Sequence, residues 1–433
     1  MTVFKSTRRC ARMLVPALAL AVGATGTVAA AGPAPAATSK AAFASGGWTT
    51  GWAAAMQRPS TGFEPNWAEA GFSDQTVRQV VRVTEGGTRA RIRLSNQYGG
   101  SPLEVTGATI ARAGRGAAVS PGSLRHLTFG RGARSVVVPA GGQVVSEPAD
   151  LPVKPLESLT VTLYLAGTTG PATTHLQGYA TTYRASGDHR ADTDGSAFRE
   201  GATTHSWYYL SGVDLAGEPP HRDTVVALGD SITDGFGSGN DTDSRYPDQL
   251  AARLAAAGKR RPVLNAGIGG GMLLSDSAWF GEKLGTRLQR DVLDNPRVGT
   301  VIVLAGLNDI GFSEIDRPTY KPDPDRSVAE LIAGHRAIIR RAHARGIKVI
   351  GGTLLPMKGA EYYTATSAAK IRQLDRWIRT SGEYDAVADF ARAVADPADP
   401  ERLRPEFDSG DHKHPNAAGY RAMAAAVNLA DLR

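Results

Sequence analysis

The chain has 433 residues, of which 42% are hydrophobic and 21% are charged, with 50 glycines and 25 prolines. This composition is typical of a globular protein of two or three domains, and it excludes a collagen-like, coiled-coil or wholly disordered chain. The formal charge of +7 falls to +3 without the four basic residues among the first twelve, and that surplus is too small to predict a nucleic-acid binder.

Residues 1–36 have the order of a secretory signal peptide. A basic stretch at 5–12 precedes ten apolar residues at 13–22, and Ala-Pro-Ala at 34–36 is the expected cleavage site. Ten apolar residues cannot span about 30 Å of hydrocarbon, which argues against a membrane anchor. We therefore predict an extracellular protein without stable membrane insertion. Its only cysteine, Cys10, lies in the signal, so the mature chain is predicted to lack disulfides and thiol nucleophiles.

After a small, polar stretch at 37–46, which predicts a flexible lead-in, residues 47–213 alternate between apolar and polar side chains. Short strands with glycine-rich turns predict an all-β sandwich or jelly roll. Glu-Gly-Gly at 85–87 lies between two alternating runs and predicts a hairpin turn.

Three arginines share one face of a predicted strand over residues 88–94: Arg89, Arg91 and Arg93. They could bind a polyanion. Alternation alone, however, demands polar residues on the outer face of a sheet, so we expect these side chains to be solvated.

Gly-Glu-Pro-Pro at 217–220 indicates a boundary, and we predict a linker at 214–222 followed by an α/β domain at 223–433. Helical stretches begin at Tyr246 and at the capping box 327–330. Between such stretches lie short β-rich runs, at 224–228, 263–265, 300–305, 348–353 and 386–390. Strands that alternate with helices predict a parallel sheet, and ligands bind such sheets beyond the carboxyl ends of the strands.

The segments that follow the first three strands carry polar or glycine-rich signals. Ser231 follows the first strand in the segment GDSITDG, and it is either a nucleophile or a helix-capping serine. Glycines 269–271 follow the second strand and allow a close backbone approach to a ligand. Asn308 follows the third strand, where its amide is either a donor to an oxyanion or part of a turn.

Near the C-terminus, Asp411 lies three residues before His414, so that one tight turn would bring its carboxylate to the imidazole. His412 lies two residues from His414 and cannot face the same point, so we expect it to be a solvent-facing loop residue. The other histidines show no metal-binding spacing, and we predict no metal.

Together these four segments, at 229–235, 265–270, 306–309 and 411–415, resemble the sequence blocks of the SGNH (GDSL-type) hydrolase family. The resemblance covers about 223–433 and implies a three-layer α/β/α sandwich with a flavodoxin-like parallel sheet. It implies that Ser231 is the nucleophile, that His414 is the base oriented by Asp411, and that Ser231, Gly270 and Asn308 form the oxyanion hole. Gly270 is chosen by counting five residues on from Asn265. The β-rich part resembles the domain that precedes the hydrolase in many secreted actinobacterial members.

The resemblance implies a secreted carboxylic ester hydrolase that forms an acyl-serine and needs no cofactor. The expected partner is a small-molecule, lipid or polysaccharide ester and not a nucleic acid, and the expected state is a monomer. One alternative is an acyltransferase with the same residues. Another is a polysaccharide-binding protein with a vestigial hydrolase half, which would use Trp48, Trp52 and Trp67. The complete set of site residues argues against that last hypothesis.

Two apolar segments are candidates for a substrate-binding wall, and packing between loop and helix is an equal alternative for each. They follow the second and fourth strands of the α/β part and contain Met272, Leu273, Leu274, Trp279 and Phe280, then Pro356, Met357, Tyr362 and Tyr363.

Overall fold

A computed structural model of the chain describes residues 47–199, 201–217, 223–295 and 297–432. The predicted signal peptide and lead-in lie outside the described residues, as does most of the predicted linker. We call residues 47–217 the β region and residues 223–432 the α/β region. No helix within these described ranges is both long and apolar enough to cross a membrane.

The β region is built from antiparallel strands in two main sheets. One sheet has the order β1-β15-β3-β8 with β9 also paired to β3, and the other has the order β13-β12-β2-β10-β5-β6. Smaller pairs join β4 to β7 and β11 to β14. The strands β1 to β15 are Trp48–Ala53, Gln75–Arg82, Gly87–Ser95, Leu103–Val105, Gly107–Arg112, Arg125–His126, Val136–Val138, Gln143–Val145, Ala149–Val153, Ser158–Leu165, Thr174–His175, Thr182–Ser186, Thr203–Thr204, Trp207–Tyr208 and Leu210–Ala216.

Apolar side chains of both main sheets form a single core in this region. Alternation placed them correctly, since Ile92, Leu94, Val161 and Leu163 are fully buried. The predicted hairpin at 85–87 is wrong, however. Strand β2 pairs with β10 and β12, whereas β3 pairs with β15, β9 and β8, so residues 83–86 cross from one sheet to the other. Alternation identifies strands, but it does not identify their partners.

The expectation of a solvated arginine face is also wrong for two of the three arginines. Arg91 and Arg93 are buried, and both lie near the carboxylate of Asp214 on β15, at 3.1 and 3.6 Å. The guanidinium of Arg91 also lies over the ring of Trp48, 4.4 Å from its centroid. Arg93 donates a hydrogen bond to Asn295 of the α/β region, so the second region covers this face.

The α/β region has a parallel sheet with the order β17-β16-β18-β19-β20. This is a doubly wound, flavodoxin-like order, as the sequence predicts. The fifth strand is shorter than predicted, because the side chain of Asp389 accepts a hydrogen bond from the Arg392 N–H and begins a helix at Phe390. The strands β16 to β20 are Thr224–Gly229, Val263–Gly267, Val298–Leu304, Lys348–Gly352 and Ala386–Ala388.

Helices lie between the strands and after the last one. A capping box begins the helix Val328–His343: the Ser327 side chain accepts a hydrogen bond from the Glu330 N–H. The right-handed crossover rule puts helices on both faces of the sheet, which gives three layers. The helices α1 to α8 are Ser231–Asp234, Tyr246–Ala256, Leu284–Leu288 (continued by the π-helical turn Gln289–Leu293), Leu307–Gly311, Val328–His343, Ala365–Thr380, Phe390–Val394 and Ala417–Ala426; 3₁₀ turns are Ser196–Phe198, Phe312–Glu314, Pro318–Tyr320 and Pro405–Phe407.

The two regions share a polar interface along β17, which is an edge strand of the parallel sheet. The Thr84 hydroxyl accepts from the Val263 N–H at 3.0 Å and lies 3.1 Å from the Val263 carbonyl oxygen. One side chain of the β region therefore covers both backbone groups of an edge residue. Other hydrogen bonds between the regions join Gln57 to Phe280, Tyr98 to Glu282 and Arg93 to Asn295.

Candidate active site

The site begins where the central strand β16 ends. After Gly229, the carboxylate of Asp230 accepts a hydrogen bond from the Ile232 N–H at 3.0 Å and caps the short helix α1, whose first residue is Ser231. Asp230, and not Ser231, is therefore the capping residue. The Ser231 hydroxyl instead lies 2.7 Å from Nε2 of His414.

His414 is held by the turn that the three-residue spacing predicts. Its Nδ1 lies 2.5 Å from Oδ2 of Asp411, and its backbone N–H donates to Oδ1 of the same carboxylate at 2.9 Å. The backbone N–H of Lys413 also donates to Oδ1, at 3.1 Å. Ser231, His414 and Asp411 consequently form one continuous chain of hydrogen bonds.

The pKa values of this chain depend on burial and on the contact between the two ionisable partners. Burial disfavours ionised Asp411, but the hydrogen bond and charge of His414 outweigh it and hold the pKa of Asp411 well below its ordinary range. Burial lowers the pKa of His414, and Asp411 offsets this only in part, while the Lys413 ammonium lowers it further. The net pKa of His414 is therefore lowered, although a carboxylate partner by itself would raise it.

His412 is turned away from the serine, as expected from its spacing. Its Nδ1 lies 2.6 Å from Oδ2 of Asp408, and its side chain is 45% exposed. Its backbone has a φ of 66°, in the left-handed region. This local turn is what lets two histidines in one short segment take opposite directions.

Glycines 269–271 differ in what their backbone N–H groups contact. The Gly269 N–H donates to Asp234 and the Gly271 N–H donates to the Ile268 carbonyl, both at 2.9 Å. Within the described residues, the Gly270 N–H has no acceptor. Gly270 also requires its glycine, because its φ is 71° and a Cβ would lie 2.2 Å from Cδ1 of Phe280.

Asn308 and Asp309 hold the loop that follows these glycines. The Asn308 amide donates to the Gly271 carbonyl at 3.0 Å, which leaves its second N–H for the pocket. The Asp309 carboxylate accepts from the backbone N–H groups of Leu273 and Leu274, at 2.7 and 2.9 Å. The glycine loop and the third strand end are thereby fixed to each other.

Arg287 contacts the backbone at the same edge of the sheet, and sequence reasoning missed this residue. Its guanidinium is fully buried, and it donates to the carbonyl oxygens of Ala266 at 2.5 Å and Gly229 at 2.6 Å. It therefore ties together the carboxyl ends of β17 and β16, where the glycine loop and the serine begin. This contact was not predictable, because a single arginine on an amphipathic stretch has no sequence pattern that marks it as buried.

A pocket of about 160 Å³ opens over the serine. Of the apolar residues proposed as a wall, Phe280 and Tyr362 line it, whereas Met272, Leu273 and Met357 are buried in the core. Sequence reasoning missed six lining residues, of which Lys413 lies inside a motif segment and Phe236 directly follows one. The others are Phe63, Gln177, Phe312 and Tyr320.

Two of the missed residues, Phe63 and Gln177, come from the β region. The Phe63 side chain is 52% exposed, and its ring stacks on that of Phe280 with the centroids 5.6 Å apart. The stack continues from Phe280 to Phe312, with centroids at 5.4 Å. The β region therefore forms part of the pocket mouth, although its sequence carries no motif for this role.

Residues 227–422 match the model of the GDSL-like Lipase/Acylhydrolase family. The α/β region belongs to this family. The matched range contains Ser231, Gly270, Asn308, Asp411 and His414 of the pocket, and the protein is a carboxylic ester hydrolase. The β region precedes the GDSL domain as an all-β part.

Solved structures that resemble the GDSL domain include a GDSL-like lipase from Bacteroides thetaiotaomicron, with 19% identity over 48% of this chain and 88% of that chain, and a TM-score of 0.37. A catalytic mutant of an acetylxylan esterase from Geobacillus stearothermophilus has 22% identity over 48% and 92%, with a TM-score of 0.37. A lipase/acylhydrolase from Enterococcus faecalis has 21% identity over 47% and 92%, with a TM-score of 0.37. A search of curated proteins gave no match.

Proposed function

We propose that the protein is a secreted serine esterase that cleaves carboxylic esters through an acyl-serine intermediate. The observation that carries the proposal is the continuous chain from Ser231 through His414 to Asp411 at the base of an aromatic-lined pocket. A serine hydroxyl at its free pKa is a poor nucleophile, and a base within hydrogen-bond reach overcomes this.

In the first step, the Ser231 oxygen attacks the ester carbonyl carbon while Nε2 of His414 takes the hydroxyl proton. The tetrahedral intermediate collapses, the bond to the alcohol oxygen breaks, and the imidazolium gives its proton to that oxygen. Water then attacks the acyl-serine with the same base, releasing the acid and restoring Ser231. Asp411 holds the imidazole with Nδ1 protonated and stabilises the imidazolium.

The backbone N–H of Ser231, the N–H of Gly270 and the amide of Asn308 are the proposed oxyanion donors. The unused N–H of Gly270 supports its choice over Gly269 and Gly271, whose N–H groups are occupied within the described residues. Preorganised donors of this kind stabilise the charge that develops on the carbonyl oxygen, and each is worth roughly 2.7 to 4 kcal/mol of barrier.

The pocket favours a short acyl group. Its volume of about 160 Å³ lies below the roughly 300 to 1,000 Å³ of pockets that enclose drug-sized ligands. Rings of Phe280, Phe312 and Tyr362 would contact the acyl chain, and the larger alcohol part would lie toward the mouth. The three tryptophans of the binding-protein hypothesis are buried, with exposed fractions of 6 to 9%, and offer no open face to a polysaccharide.

Labelling with a serine-directed phosphonate tests the proposal. Wild-type enzyme should be labelled at Ser231 alone, with loss of 4-nitrophenyl acetate hydrolysis, whereas Ser231→Ala should remain folded, unlabelled and inactive. Ser313→Ala, at a half-buried serine outside the pocket, is the matched control and should behave as wild type. Label on a different residue, or an active Ser231→Ala, would overturn the proposal.

Two further measurements test which molecule accepts the acyl group and whether the protein is secreted. Adding a sugar or alcohol acceptor should not divert the acyl group from water, which separates an esterase from an acyltransferase. The proposed secretion rests on residues 1–36, and N-terminal sequencing of protein recovered from the culture medium should begin near residue 37. An unprocessed N-terminus would contradict it.

A further inference from the structure

Asp234, the last residue of α1, uses both of its carboxylate oxygens at a buried position behind the glycine loop. Oδ2 accepts a hydrogen bond from the Gly269 N–H at 2.9 Å, and Oδ1 lies 3.0 Å from Nε2 of His175. Gly269 directly precedes Gly270, which lines the pocket. Asp234 therefore links the glycine loop to a histidine of the β region.

His175 lies on β11 and is buried, with its ring stacked on that of Trp207, centroids 5.4 Å apart. Its Nδ1 lies 2.8 Å from the Ala55 carbonyl oxygen. A carbonyl only accepts, so Nδ1 must carry a proton. The contact between Nε2 and Asp234 then needs a second proton. Because an imidazole is more basic than a carboxylate, the proton belongs to Nε2, and the pair is an imidazolium facing a carboxylate.

Other charged groups near this pair do not change its character. Burial disfavours the imidazolium and Arg245 opposes it, but the charge and hydrogen bond of Asp234, together with the hydrogen bond to the Ala55 carbonyl, outweigh both, and the pKa of His175 is raised. Arg245 is itself engaged by Asp248, at 2.6 Å. Arg245 and Arg287 both lie within electrostatic reach of Asp234, and the guanidinium of Arg287 is already bound by Asp291.

We propose that His175 and Asp234 are positioning residues that aim the Gly270 N–H at the oxyanion, so that the β region completes the active site of the esterase. This inference rests on the proposed function. With His175 in place, the carboxylate keeps one orientation and holds Gly269. Without it, the buried carboxylate loses a partner and the loop gains freedom beside the reacting carbonyl.

The test uses the full chain and 4-nitrophenyl acetate. His175→Leu should lower kcat by about 10- to 100-fold, less than the loss of a whole oxyanion donor, and leave KM within about twofold. His175→Gln, which can still donate to Asp234, should recover most of the rate. Tyr98→Phe is the matched control, because it removes a different hydrogen bond between the regions, the 3.1 Å contact with Glu282.

A kcat for His175→Leu equal to wild type would overturn the inference, as would an equal loss of kcat in Tyr98→Phe, since the effect would then come from the interface in general. Inactivity of Ser231→Ala, measured alongside, keeps this result separate from failure of the proposed function.

If His175→Leu does not fold, ¹⁵N NMR of the wild-type histidines decides the question, with the His175 signal assigned from His175→Gln. Both ring nitrogens of His175 should still be protonated at pH 6.5, the pKa of an ordinary histidine, and kcat should fall as one of them deprotonates at higher pH. A His175 imidazole that is already neutral at pH 6.5 would overturn the inference.

Discussion

The two regions of the molecule both contribute residues to one pocket, but only the α/β region has sequence motifs around those residues. The α/β region marks its site residues by position, because each follows a strand or a tight turn: Ser231 follows β16, Asn308 follows β18, and Asp411 and His414 share one turn. The β region contributes Phe63 and Gln177 from loops, with no motif around them. Sequence motifs therefore identify only those pocket residues that the α/β region contributes.

The largest effect is expected when the proposed base of the α/β region is removed. His414→Ala should lower kcat/KM for 4-nitrophenyl acetate by about 10⁴-fold or more, because Ser231 loses its proton acceptor. His412→Ala is the control and should keep most of the rate, since its side chain is directed to Asp408. A dead His412→Ala beside an active His414→Ala would reverse the assignment.

Next in size is the loss of a proposed oxyanion donor. Asn308→Ala should lower kcat by about 10²- to 10³-fold with a smaller change in KM, because the amide acts on charge that develops in the transition state. Asn428→Ala, at an exposed asparagine outside the pocket, serves as the control. An effect confined to KM would remove Asn308 from this role.

The pH profile gives a smaller but more specific test. A base must be neutral to accept the serine proton, so kcat/KM should rise with pH through the pKa of His414, which burial places below its ordinary value of 6.5. Asp411→Asn removes the charge that favours the imidazolium, so this acid limb should move further to low pH while the maximal rate falls. A limb above 6.5 in wild type, or a shift to higher pH in Asp411→Asn, would contradict the burial argument.

The smallest effect is expected from a substitution in the β region, and it tests whether this region contributes to substrate binding. Phe63→Ala removes a ring stacked on Phe280, an interaction worth about 0.5 to 1.5 kcal/mol, and should raise KM by about 2- to 10-fold for esters with a bulky alcohol part. Hydrolysis of 4-nitrophenyl acetate should change little. Val137→Ala, at a comparably exposed residue outside the pocket, should affect neither substrate.

Local patterns predicted much of the fold, and their limits have physical causes. Alternation located strands of the β region, and strands that alternate with helices predicted the parallel sheet of the α/β region, whereas its flavodoxin-like order was implied by the family resemblance. Sheet partners were not predictable, as the connection from β2 to β3 shows, because pairing depends on distant residues. Arg91 and Arg93 were misassigned because their burial depends on Asp214 and on the second region.

For the site, spacing located the hydrogen-bond chain because Asp411 and His414 meet within one local turn. Phe63 and Gln177 could not be found in this way, since they reach the pocket only after the two regions pack. The net pKa shift of His414 was also beyond the sequence: the contact with Asp411 was predictable, but the burial that outweighs it was not.

The contact between Thr84 and Val263 has a consequence for the behaviour of the chain in solution. An uncovered edge strand offers a row of backbone donors and acceptors to other molecules, and proteins commonly shield such edges against aggregation. Since Thr84 covers both backbone groups of Val263 on the edge strand β17, the β region shields one margin of the parallel sheet. The GDSL domain expressed from residue 223 onward should therefore self-associate through β17, giving concentration-dependent light scattering that the full chain does not give.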